Sequence, residues 1–114
     1  MRANRAPAAS NARRLTIDRR EEDGCVTLGV RGEVDLASAP LLEQELEDVA
    51  GSAPRRIVFD LAALDFIDSS GLRVLLHAHT RASSEGCVLV LAHVPPHVRR
   101  LLELTGSDAV LPIE

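Results

Sequence analysis

The 114-residue chain is 46% hydrophobic and 26% charged and has two cysteines, the make-up of one globular domain able to bury a core without disulfides or metal. A net charge of −4 argues against direct nucleic-acid binding, which needs a basic surface, and no apolar run nears the ~20 residues of a membrane span. All 13 basic residues are arginine, which rules out a Walker-type phosphate loop, a Schiff-base lysine and a Ser–Lys nucleophile pair.

Residues 1–12 carry Arg2 and Arg5 among Ala, Asn, Ser and Pro, without an acid. That composition predicts a disordered basic tail ahead of a single domain at 13–114. No apolar stretch follows the arginines as a secretory signal requires. Cys25 and Cys87 lie far apart inside apolar runs, as small buried hydrophobes do, so a cytoplasmic address is expected.

Arg14-Leu15-Thr16-Ile17-Asp18 alternates polar and apolar residues, and Cys25 to Gly32 does the same. With a turn at Glu21-Glu22-Asp23-Gly24 between them, the two predict a hairpin. A helix follows, with Ser38 as its N-cap, Pro40 in its first turn, Ala39, Leu42, Leu46 and Val49 inward, and Gly51 closing it. Ile57-Val58-Phe59 reads as a strand buried on both faces. After "DLAALDFIDSS" a second helix sets Leu72, Leu75, Leu76 and His79 on one face. Cys87 to His93 is a further buried strand. Pro95-Pro96 open a third helix, with Val98, Leu101 and Leu102 inward and Gly106 as its stop. Ala109 to Ile113 reads as a last edge strand. The order β-β-α-β-α-β-α-β predicts an α/β fold, a mixed sheet with helices packed on it.

Most candidate sites have plain readings. His77 and His79 are two apart on a helix and face apart; His93 and His97 flank the prolines, and no Cys/His cluster has zinc spacing, so no metal is expected. Glu43, Glu45, Glu47 and Asp48 form the wet face of the first helix. "FIDSSGLR" (Phe66 to Arg73) leaves three readings open. Asp and Ser are favoured helix caps. A serine nucleophile would need Gly-x-Ser-x-Gly, but Ile67 stands where the first glycine belongs. The third reading makes a serine the acceptor of a phosphate, stabilised by free N–H groups at a helix N-terminus.

"LDFIDSSGLRVLL" after a "VFDL" strand resembles the STAS-domain anti-sigma-factor antagonists of bacteria. "VRGEVDLASAP" is similar to that family's Gly-acid-hydrophobic-Asp segment, and "PPHVRRLLELTG" to its Pro-x-Val-x-Arg-x-Leu helix. The resemblance covers about residues 13 to 113 and implies a STAS (SpoIIAA-like) fold. It also implies a switch. An ATP-dependent anti-sigma-factor serine kinase is bound by the unphosphorylated antagonist, so that the sigma factor is freed. Phosphorylation of the first serine, here Ser69, ends that binding, and a PP2C-type phosphatase resets it. Asp68, Ser70 and Gly71 would shape the presenting loop, with Leu72 and Arg73 beside it and Glu33 and Asp35 joining the partner-binding surface. No catalytic residue, cofactor or membrane contact is implied, and a monomer or weak dimer is expected.

Three features depart from the family pattern: Arg73 where many members have glycine, Ser107 where an apolar residue is common, and an end at Glu114 ahead of a fourth helix, which predicts a more exposed flank. Two other functions stay open. One is a STAS scaffold or lipid-transport accessory subunit that only docks a partner; the other is a small serine hydrolase using Ser69.

Overall fold

The computed structural model describes residues 14–114; the predicted basic tail lies outside the described residues. The hairpin forms from β1 (Thr16–Glu22) and β2 (Cys25–Val34), paired antiparallel from Thr16↔Arg31 to Glu22↔Cys25. Only Asp23 and Gly24 make the turn, both at positive φ (51° and 80°), the twist that two-residue hairpin loops favour. β1 therefore runs on through Glu21 and Glu22.

β2 has two parallel partners along its other edge. Its first half pairs with β3 (Arg56–Asp60), and its last residues, beyond an irregularity at Gly32/Glu33, pair with β4 (Leu64–Ile67). Gly32 takes φ 97° there, a backbone state that side chains resist. β5 (Val88–Ala92) pairs with β3, giving the order β1-β2-β3-β5 with β4 against β2.

β4 is an element that the sequence reading passed over as connection. Its exposure pattern, buried Leu64, exposed Asp65 and Phe66, buried Ile67, lacks the period of two that marks a strand. What makes it a strand is the free edge of β2. The expected last strand at Ala109 to Ile113 does not form. Ser107–Ala109 make a short 3-10 turn, and only a single parallel bridge joins Leu91 to Ile113.

Residues in register share a face, so Val26, Ile57 and Leu89 lie together, as do Leu28, Phe59 and Leu91. All six are buried, Leu28, Phe59 and Leu91 completely (0%). The opposite face is less covered: Val58 is half-buried, so β3 is not buried on both sides as expected. α1 (Ala39–Gly51), α2 (Ser69–Ser84) and α3 (Pro96–Thr105) complete the fold. Leu42, Val49, Leu72, Leu75, Val98 and Leu102 join the core; Leu46, Leu76 and Leu101 pack half-buried against it. α1 runs through Gly51 and closes at Ser52, whose hydroxyl donates to the Val49 carbonyl at 2.7 Å. α3 stops at Gly106 as predicted. Arg19 on β1 ties the sheet to α1 through Glu45 at 2.8 Å, and Arg81 ties α2 to Glu47 of α1 at 3.0 Å.

Candidate functional site

β2 and β4 run parallel and end together, with Glu33 opposite Phe66 and Val34 opposite Ile67. The Asp68 N–H extends the pairing by donating to the Val34 carbonyl at 3.1 Å. Two loops therefore leave one end of the sheet side by side. One carries Glu33 and Asp35 into α1; the other carries Asp68 and Ser69 into α2.

Asp68 is the cap of α2. Its backbone is extended, and its Oδ1 accepts from the Ser70 N–H at 2.8 Å and the Gly71 N–H at 3.2 Å. The carboxylate thus occupies the Ser70 and Gly71 amides, two of the N–H groups at this helix start that the sequence offers to a phosphate. Ser69, the first residue of α2, is exposed, and among the described residues none hydrogen-bonds its hydroxyl. Ser70 is half-buried and contributes its amide to the cap. Capping therefore falls to the Asp68 carboxylate and the Ser70 and Gly71 amides, and the Ser69 hydroxyl takes no part in it.

Gly71 has a steric reason. A Cβ there would lie 2.6 Å from Val34 Cγ1 and 2.7 Å from Ile67 Cγ1, closer than carbon atoms approach. Glycine lets the first turn of α2 sit directly on the paired ends of β2 and β4. Leu72 is 5% exposed and anchors the same turn from inside, so neither residue offers much outer surface. Arg73 is exposed.

The neighbouring loop is held by Asp35 and Ser38. Asp35 Oδ1 accepts from the Ser38 N–H at 3.0 Å and lies 3.0 Å from its hydroxyl, while Ser38 Oγ accepts from the Asp35 N–H at 2.9 Å. Ser38 occupies the N-cap position of α1 as predicted, but its side chain serves this turn rather than the helix amides. The Ser38 hydrogen bonds hold the Asp35 carboxyl below the usual aspartate range. Glu33 is half-buried at the rim.

Two apolar side chains at this end were not singled out from sequence. Leu36 is 77% exposed and Phe66 45%. Each follows an aspartate and precedes an apolar residue, so by residue type both look like core; only the register turns Phe66 outward. The histidines stay apart, with His77 exposed and His79 half-buried. His93 Nδ1 lies 3.2 Å from Asp60 Oδ1 on β3. Cys25 and Cys87 are free, and burial pushes the Cys87 thiol up. Among the described residues no group of three or more His, Cys, Asp or Glu could hold a metal ion, and no helix is long and apolar enough to cross a membrane.

Comparison with known proteins gives a consistent picture. The STAS domain model matches residues 16–114. BtrV of Bordetella bronchiseptica is 37% identical over 100 residues, covering 88% of this chain and 84% of that protein. The anti-sigma-F factor antagonist RsfB of Mycobacterium tuberculosis is 34% identical over 94 residues, covering 82% and 76%. The crystal structure of an anti-sigma factor antagonist from Mycobacterium paratuberculosis superposes with a TM-score of 0.80 at 32% identity, over 88% of this chain and 85% of that one.

Proposed function

The chain belongs to the STAS-domain family, and from that premise we propose that it is an anti-sigma factor antagonist switched by phosphorylation of Ser69. One observation carries the reading: the Ser69 hydroxyl is exposed and unengaged, on a turn whose backbone Asp68 already holds. A side chain that does nothing for the fold can be modified without unfolding it.

The chain is the substrate in this scheme, not the enzyme. An anti-sigma-factor serine kinase binds the end of the sheet bearing Ser69. Exposed Leu36 and Phe66 supply apolar contact area, and Glu33 and Arg73 a polar rim. The Ser69 oxygen attacks the γ-phosphorus of the kinase's ATP; the bond to the bridging oxygen breaks, ADP leaves, and a base of the kinase takes the hydroxyl proton. The product carries about two negative charges where the surfaces met. Desolvating them on rebinding is unfavourable, so the complex separates. A PP2C-type phosphatase returns the serine by hydrolysis.

Phosphosite mapping after incubation with ATP, Mg²⁺ and a cognate anti-sigma kinase tests this. One added phosphate on Ser69 is expected. Phosphate on Ser70, or none on a chain that binds the kinase, would sink the switch.

A further inference from the structure

We propose that Arg73 is the intramolecular partner of a phosphoryl group on Ser69, holding it on the outer surface of α2 as an ion pair one helical turn long. The inference rests on the Ser69 reading above and concerns what the phosphate does once formed.

Two of the amides at the start of α2 are closed to a phosphate on Ser69. The Ser70 and Gly71 N–H groups already donate to Asp68 Oδ1, at 2.8 and 3.2 Å. The residue just before the acceptor is therefore a carboxylate, which repels a dianion. A cation on the neighbouring surface would offset that repulsion.

Arg73 is placed to supply it. Ser69 and Arg73 are four apart in α2, so they share a face of the helix. Helical side chains lean toward the N-terminus, and the longer one here is the C-terminal partner, so it reaches back over the turn that Ser69 begins. An acid preceding a base by four residues is also the favourable order relative to the helix dipole. Both residues are exposed. Arg19, Arg56 and Arg81 have carboxylate partners, whereas no ion pair among the described residues engages Arg73. Its charge is uncommitted until Ser69 is modified. A guanidinium also suits the role, because its planar fork meets two phosphate oxygens at once.

The pairing has two consequences. It favours the dianion over the monoanion, and so lowers the second ionisation of the phosphate. It also ties the group to α2 instead of leaving it free to swing.

The test uses the full chain with phosphoserine installed at position 69 during translation, and follows its second ionisation by ³¹P NMR. Arg73→Gln, which keeps much of the side-chain stem, is expected to raise that pKa by about 0.4 units at low ionic strength. The difference should close near 1 M salt, where screening acts within about 3 Å. Arg73→Lys should recover part of the shift, since charge is kept and the fork is lost. Equal titration of the parent and Arg73→Gln chains overturns the pairing, as does Arg73→Lys behaving like Arg73→Gln. No kinase is involved, so this outcome is separate from that of the switch. Failure of a kinase to modify Ser69 would leave the titration unaltered.

Discussion

Asp68 Oδ1 accepts the Ser70 amide at 2.8 Å, and this contact divides the work between two adjacent serines: one has its backbone in the cap, and the other keeps its hydroxyl free. Asp68→Ala should lower stability by about 1 kcal/mol, as the loss of an N-cap does. Asp68→Asn should restore most of it, because an amide oxygen still accepts. Urea unfolding of both variants checks this. An unchanged midpoint in Asp68→Ala would mean that packing alone holds the first turn of α2.

Gly71→Ala would normally favour a helix by up to about 1 kcal/mol. Here the new methyl would meet Val34 and Ile67 at 2.6 and 2.7 Å, and overpacking of that kind costs roughly 1–3 kcal/mol. Net destabilisation is expected. Combining Gly71→Ala with Val34→Ala should cost less than the sum of the two single changes, since the second removes one of the clashing atoms. Strict additivity in the cycle would show that the contact is not the cause.

The Asp35–Ser38 turn should show in acid. Ser38 hydrogen bonds hold the folded-state pKa of Asp35 below its unfolded value of about 4. The ionised form therefore stabilises the fold above that pH, and the contribution is lost as pH falls through the folded-state value. The stability gap between the parent chain and Asp35→Asn should be constant from about pH 7 to 5 and narrow below pH 4. A gap that stays constant down to pH 2 would refute the assignment.

Ser69→Ala should still bind the kinase and stay bound when ATP is added. Ser69→Glu should bind at least tenfold more weakly, a difference of about 1.4 kcal/mol. Neither change should move the unfolding midpoint much, because Ser69 makes no hydrogen bond through its side chain among the described residues. Binding by calorimetry beside thermal melts separates the two effects. Tight binding by Ser69→Glu would place the switch elsewhere.

Much of this could be read before folding. Local periodicity determined β1, β2 and the three helices, because burial on one side repeats every two or every 3.6 residues, while short continuous apolar runs marked β3 and β5. The stretch from Leu64 to Leu76 pointed to Ser69 through its resemblance to the STAS antagonists, since a dense local motif can be matched with no knowledge of distant partners. What only the tertiary structure decided were the features set by residues far apart in sequence. Leu64–Ile67 is a strand because β2 offers it an edge, and Ala109 to Ile113 is not one because it meets β5 at a single bridge. Phe66 is exposed because of its place opposite Glu33. Gly71 is needed because Val34, from another strand, occupies the space a side chain would take. Asp68 rather than a serine caps α2 because pairing with Val34 holds its backbone extended at the moment the helix begins. Pairing, register and close approach depend on which surfaces meet across the core, and one chain's local pattern does not contain that.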